Sequence, residues 1–255
     1  MVADADLTVE VAGAVATVVI CNPGRRNAMT AAMWRRLPVL LDGLEADPTV
    51  RVVVLTGADG TFCAGADLGE MDELLAAGDA SLAVLAEERL AAFAKPTVAA
   101  VHGACVGGGC QLAVACDLRI AATDARFGVP PARLGLIYPV PTTNRLARLV
   151  GPAAAKHLLF TGELVDADRA LRIGLVDELL PGADLAARVA DLTAMVAERS
   201  QLSVVAAKEI VDGRADNDRV AWWHGQVRAS GEAREGVAAF HERRPATFGW
   251  TRPAS

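Results

Sequence analysis

Two short stretches hold residue types from which a catalytic site can be built, and a third is marked only by its tyrosine. Thr61-Phe62-Cys63-Ala64-Gly65-Ala66-Asp67-Leu68 follows the turn Gly57-Ala58-Asp59-Gly60, and its small residues let backbone N–H groups come close to a ligand. Gly103-Ala104-Cys105-Val106-Gly107-Gly108-Gly109-Cys110-Gln111-Leu112 is a glycine cluster opening an apolar segment that reads as a helix. Amides left free at a helix N-terminus bind an anion or stabilise an oxyanion. Leu134-Gly135-Leu136-Ile137-Tyr138 carries the only tyrosine in the chain. Each stretch also has a plainer reading. Glycine-rich turns serve close packing, a lone tyrosine is a packed amphipathic side chain, and Asp67 and Glu70 read as a helix cap and a solvated acid.

Other chemistries fail on spacing. The glycines from Gly103 to Gly109 do not form G-x-G-x-x-G, and no acidic residue ends a following strand in the required frame, so a dinucleotide fingerprint is excluded. G-x-x-x-x-G-K-[ST], G-x-S-x-G and H-E-x-x-H are all absent. His102, His157, His224 and His241 are too scattered for a metal site and read as surface or packing residues.

The elements that must position these stretches alternate between strand and helix. Leu7 to Val11 and Ala14 to Cys21 suggest a hairpin around Ala12-Gly13. Thr30 caps a predicted helix with apolar residues Met33, Leu37, Leu40, Leu41 and Leu44, which ends near Asp47-Pro48 and is weakened by Pro38. Arg51 to Thr56 and Thr97 to Val101 read as buried strands, with a helix from Ser81 to Phe93 between them. The pattern is that of an α/β protein. Beyond Gly151 it becomes mainly helical: Pro152 to Phe160, Asp166 to Ile173, Asp184 to Arg199, Leu202 to Val211, and Asn217 to Arg243 with a break near Gly231.

With 255 residues, 53% hydrophobic and 22% charged, the chain can bury a core without disulfides or metals, and disorder is excluded. The net charge of −6 argues against nucleic acid or an anionic membrane as the main partner. Cys21, Cys63, Cys105, Cys110 and Cys116 are odd in number, contain no C-x-x-C pair and sit in apolar runs, so they read as reduced core residues of a cytoplasmic protein. The acidic start MVADADLTVE does not fit a targeting leader. Pro96 to Cys116 lacks Asp, Glu, Lys and Arg, but His102, Gln111 and its glycines make it a poor membrane helix.

FCAGADL followed by VHGACVGGGCQLAVACDLRIA resembles the crotonase, or enoyl-CoA hydratase/isomerase, superfamily. Asn22-Pro23 with Arg26-Asn27-Ala28 is similar to that family's first CoA loop, Ala125-Arg126-Phe127-Gly128 to its A-x-F-G segment, and TGELVDADRALRIGLVDELLP to the stretch after its active site. Leu202 to Lys208 and FHERRPATF resemble its C-terminal helices, so the likeness runs through nearly the whole chain. It implies a crotonase (ClpP/crotonase-like) fold of repeated ββα units in two nearly perpendicular sheets. Residues 1–195 would form the spiral core and 196–255 a C-terminal helical trimerisation region, assembled as a homotrimer or dimer of trimers.

The resemblance implies an acyl-CoA thioester as substrate in lipid metabolism, with no permanently bound cofactor and coenzyme A present only as part of that substrate. Its oxyanion hole maps onto the backbone N–H groups of Ala66 and Gly108. The backbone from Ala64 through Ala66 and Asp67 to Leu68 would hold the adenine and pantetheine, and Arg25 or Arg26 would meet phosphate or lie in a solvated turn. The two glutamates of a hydratase of this family map onto Gln111 and Pro131. An amide has no accessible pKa for general base catalysis and proline has no side-chain chemistry, so efficient hydration is not expected. Tyr138 matches a catalytic tyrosine of the methylmalonyl-CoA decarboxylase branch, although that branch's histidine position is Ala66 here. Decarboxylation or another enolate reaction, with Gln111 holding a water, stands against the alternative of a non-catalytic acyl-CoA-binding protein. Trp222, Trp223, Phe240, Phe248 and Trp250 would form an oligomer interface or fold back on their own subunit.

Overall fold

The computed structural model describes residues 5–70 and 81–252. Residues 1–4 of the acidic start and 253–255 of the C-terminal region lie outside them. The alternating first segment forms the expected antiparallel hairpin of β1 (Asp6–Ala12) and β2 (Val15–Cys21). Helix α1 (Ala31–Ala46) follows, with Thr30 Oγ1 accepting from the Met33 N–H at 3.2 Å. It runs through Pro38, at the cost of one intrahelical donor, because Met33, Trp34, Leu37, Leu41 and Leu44 bury a continuous stripe. β3 (Val52–Gly57) then pairs in parallel with β2.

After α2 (Leu82–Ala91), capped by Ser81, the chain alternates between two sheets. β4 (Thr97–Val101) joins the first sheet, β5 (Ala104–Val106) begins a second, and α3 (Gly108–Ala115) crosses over. β6 (Leu118–Ala122), β7 (Arg126–Gly128) and the short α4 (Pro131–Leu134) repeat that strand, strand, helix unit. The uncharged stretch from Pro96 to Cys116 is thus divided among β4, β5 and α3, and among the described residues no helix is long and apolar enough to cross a membrane.

Helix α5 (Val140–Thr161) is longer than the sequence pattern predicts. Its first half buries only Thr142 and Leu146 and begins among prolines, which hides the helical period, and Gly151 (φ 78°, ψ 157°) kinks it where the expected helix begins. β8 (Val165–Asp166), α6 (Ala167–Arg172) and β9 (Glu178–Leu180) complete the sheets in the orders β1-β2-β3-β4-β6-β9 and β5-β7-β8.

The period of two along the strands divides the interior. Val53, Leu55, Ala99, Val101 and Ala121 face the large core with α1, α2 and α3. Val52, Val54, Val98, Ala100, Ile120 and Ala122 face a second cluster with Leu185 and Val189 of α7 (Gly182–Glu198). α8 (Gln201–Val211), α9 (Asn217–Ser230) and α10 (Glu232–Glu242) follow, with the predicted break at Gly231. α7 therefore runs across residue 195, and a separate small cluster starts at Leu202 with Val205 and Trp223. Trp223 lies against Trp222 and Trp250 of the same chain, at 4.6 and 5.9 Å between ring centroids, whereas Phe240 is exposed. All five cysteines are free thiols, four of them buried, and burial pushes Cys63 and Cys116 up to about 12.

Candidate active site

Backbone pairing explains how the segment around Ala66 comes to offer an N–H group. Asn27 accepts from the Asn22 N–H through Oδ1 at 3.0 Å and donates through Nδ2 to the carbonyls of Ala58 and Thr61 at 2.8 and 2.6 Å, fastening the first loop to the turn after β3. That loop then zips onto the next segment: Ala64 N–H donates to Arg26 O at 3.0 Å, Met29 N–H to Gly65 O at 2.8 Å, and Asp67 N–H to Met29 O at 2.9 Å. In extended backbone, N–H groups alternate in direction, so pairing Asp67 turns the N–H of Ala66 away from the loop. Ala66 N–H donates to no other described group.

Gly108 reaches the same place from the opposite direction. Gly107 N–H donates to Gly128 O at 2.8 Å, and Gly107 then turns with φ 59° and ψ −126° to start α3. The Gly108 N–H, in the first turn of that helix, is likewise without a described acceptor. A methyl group added at Gly65 (φ 107°) would lie 3.4 Å from the Gly108 nitrogen, and one added at Gly108 would lie 3.7 Å from the Ala66 nitrogen. The two donors are therefore neighbours. At Gly109 a Cβ would stand 2.3 Å from the Cys63 carbonyl oxygen, so close packing of α3 on Cys63 requires glycine there.

Both donors border a cavity of about 630 Å³ walled by the 64–68 segment, the start of α3, α2 and the segment from Pro130 to Thr142. Of the residues singled out in the sequence, Ala64, Ala66, Leu68, Gly108, Gln111 and Tyr138 line it. Arg25, Arg26 and Asp67 do not line it: Arg25 and Asp67 form a 3.0 Å ion pair, Asp67 also accepts from the Gly69 N–H, and Arg26 is exposed. Glu70 caps α1, accepting from the Ala31 N–H at 2.5 Å. Pro131 is buried as the first residue of α4, and its neighbour Pro130 contributes to the wall.

The side chains that line the cavity are mostly apolar. Gln111 is 1% exposed, and neither its Oε1 nor its Nε2 has a hydrogen-bond partner among the described residues. Leaving both ends of an amide unpaired in the interior is costly, and Gln111 is among the residues that wall the cavity. Burial holds the Tyr138 hydroxyl well above its ordinary pKa, with Glu87 and Cys110 adding to the effect, so it is a neutral hydrogen-bond donor. A Cβ at Gly107 would lie 3.3 Å from that hydroxyl, which places Tyr138 beside the start of α3.

The residue that the sequence did not single out is Glu87. It lies on α2, is 3% exposed, lines the cavity, and keeps Oε2 sealed from solvent without a partner among the described residues. Burial raises its carboxyl to about 8, the Arg145 guanidinium opposes that rise, and Glu88 and Cys110 add to it. The available signal was an acid in the stripe Val84, Glu87, Leu90, where helical spacing calls for an apolar side chain. Among the described residues no cluster of three or more His, Cys, Asp or Glu could hold a metal ion.

Comparison with known proteins gives the site its context. The family model described as enoyl-CoA hydratase/isomerase matches residues 10–251. The chain is 35% identical over 243 residues to a crotonyl-CoA hydratase of Syntrophomonas wolfei, covering 91% of this chain and 94% of that protein. It is 33% identical over 249 residues to a short-chain-enoyl-CoA hydratase of Clostridium acetobutylicum, covering 94% and 95% respectively. A crystal structure of an enoyl-CoA hydratase/isomerase family member superposes with a TM-score of 0.92 at 39% identity, over 99% of both chains. With its two sheets, its strand, strand, helix repeat and its C-terminal helices, this chain belongs to the enoyl-CoA hydratase/isomerase family and has the crotonase fold.

Proposed function

We propose that this protein binds an acyl-CoA thioester and stabilises its enolate, with the thioester oxygen accepting from the N–H groups of Ala66 and Gly108. The observation that carries the reading is that these two unpaired donors lie side by side on one cavity. Each donor aimed at developing negative charge contributes about 2.7–4 kcal/mol to lowering the barrier. The cavity volume of about 630 Å³ suits an acyl chain and part of the pantetheine arm. Coenzyme A enters only as part of the substrate, and the family resemblance extends the proposal to a homotrimer or dimer of trimers.

Efficient hydration of an enoyl-CoA is not part of the proposal. Water addition needs a base to activate water and an acid to protonate Cα, and the two positions that would supply them hold Gln111 and Pro131. Decarboxylation consumes no water and needs the oxyanion donors and one proton donor, for which Tyr138 is a candidate; a double-bond shift needs in addition a base to take a proton from the acyl chain, and the position where the family's isomerases keep theirs is Pro131 here. The same substitutions favour a second reading, a non-catalytic acyl-CoA binder.

The test is mass spectrometry of purified protein incubated with crotonyl-CoA, a 3-enoyl-CoA and methylmalonyl-CoA, alongside a binding titration with each. A decarboxylated or shifted product with little hydration is the expected result. Hydration of crotonyl-CoA at rates typical of the family contradicts the proposal, and binding without turnover across the panel supports the second reading.

A further inference from the structure

Building on the enolate reading above, we propose that Glu87 is the proton-transfer residue of this site, exchanging a proton between its carboxyl and Cα of the thioester held at Ala66 and Gly108. Glu87 lines the same cavity as the two backbone donors and as Gln111 and Tyr138. A glutamate kept for structure is expected to be paired, yet Oε2 of Glu87 is sealed in the interior with no hydrogen bond among the described residues. Nη2 of Arg145, on α5, pairs with Glu88, and among the described residues no hydrogen bond joins Arg145 to Glu87, although its positive charge acts on that carboxyl. The groups whose charge or proton bears on Glu87 are Glu88 on its own helix, Arg145 on α5, Cys110 on α3 and Tyr138 before α5. A desolvated carboxyl in a ligand-sized cavity is the arrangement enzymes use for acid and base work.

The proton step balances without another reagent. A carboxylate oxygen of Glu87 takes a proton from Cα, the C–H electron pair becomes the Cα=C bond of the enolate, and the thioester C=O pair moves onto oxygen, where the two N–H groups stabilise it. Reversal returns the proton to carbon. One carboxyl performs both directions, which suits a proton shift along the acyl chain or protonation of an enolate left by loss of carbon dioxide. Burial raises the carboxyl to about 8, so at neutral pH it is mostly protonated and poised as a donor. Its capacity to remove a proton increases as pH rises through about 8.

The experiment follows incorporation of deuterium at Cα of butyryl-CoA in D2O by mass spectrometry, with butyryl-CoA affinity measured in parallel for wild type, Glu87→Gln and Glu87→Asp. Wild type is expected to exchange the α-proton faster as pH rises through the Glu87 titration. Glu87→Gln should lose about 100-fold or more of that rate, within the range of acid–base contributions, while its affinity changes less than about threefold. Glu87→Asp, which keeps a carboxyl, should retain part of the rate and the pH rise. Exchange by Glu87→Gln at the wild-type rate and with the wild-type profile would overturn the assignment and leave the enolate reading intact. Loss of the rate and the pH rise in Glu87→Asp as complete as in Glu87→Gln would count against it as well. Wild type that binds butyryl-CoA without exchange would remove the enolate reading, and this proposal with it.

Discussion

The part of the cavity wall at Ala66 and Gly108 presents main-chain groups, and the part at Glu87, Gln111 and Tyr138 presents side chains. The first is fixed by the fold. Ala66 N–H is left over by the pairing of Arg26 and Met29 with Ala64, Gly65 and Asp67, and Gly108 N–H by the turn at Gly107, so neither depends on its own side chain for more than being small. The second wall has no such constraint. An amide stands at 111 and a proline at 131, while a buried carboxyl comes from a different element, α2, into the same space. The main-chain donors at this cavity come with the topology, whereas the polar side chains that line it come from separate elements.

The largest effect that would sharpen this contrast is on stability. In the folded protein the Glu87 carboxyl lies at about 8 against an ordinary 4.5, so between those values the native state holds a proton that the unfolded chain has released. Stability therefore falls as pH rises from about 4.5 to about 8, by on the order of 5 kcal/mol from this group alone. Glu87→Gln removes that dependence. The difference between wild-type and variant unfolding free energies, from urea titrations across this range, should grow steadily with pH in favour of the variant. A constant difference would contradict the desolvated carboxyl.

Breaking the main-chain wall should cost next most. In Gly108→Val the first added carbon would lie 3.1 Å from the Trp34 indole, and the remaining methyls crowd the space beside the Ala66 nitrogen. Turnover of whichever acyl-CoA proves active should fall about 100- to 1000-fold, the loss seen when one oxyanion donor is removed. The smallest effect is expected at Tyr138. Tyr138→Phe keeps the packing and deletes one neutral donor, so a reduction of about 10-fold in kcat with KM little changed would mark a hydroxyl that acts in the transition state. Unchanged turnover would leave Tyr138 as a wall residue.

Most of the fold was legible because its strands are short β-branched runs and its helices carry caps and apolar stripes, as at Thr30 and Ser81. The elements that escaped were β5, β7, β8 and β9, each two or three residues long, the five-residue β6, the four-residue α4, and the first half of α5, masked by Pro139 and Pro141. The glycines of the main-chain wall could be read directly, since Gly65 and Gly109 occupy positions where a Cβ does not fit. Glu87 could not be placed from its type alone. An acid in a helix is ordinarily a solvated residue, and only the tertiary packing of α2 against α3 and α5 shows that this one faces inward. Spacing likewise did not reveal that Asp67 and Arg25 are engaged with each other.

The most direct measurement is the infrared carbonyl stretch of butyryl-CoA carrying ¹³C at the thioester carbonyl, recorded by isotope difference when bound to wild type and to Gly108→Val. Two N–H groups donating to that oxygen weaken the C=O bond, so the account predicts a band at lower wavenumber than in water for wild type and recovery toward the aqueous value in the variant. A bound band at the aqueous position in wild type would mean that the Ala66 and Gly108 donors do not hold the thioester oxygen.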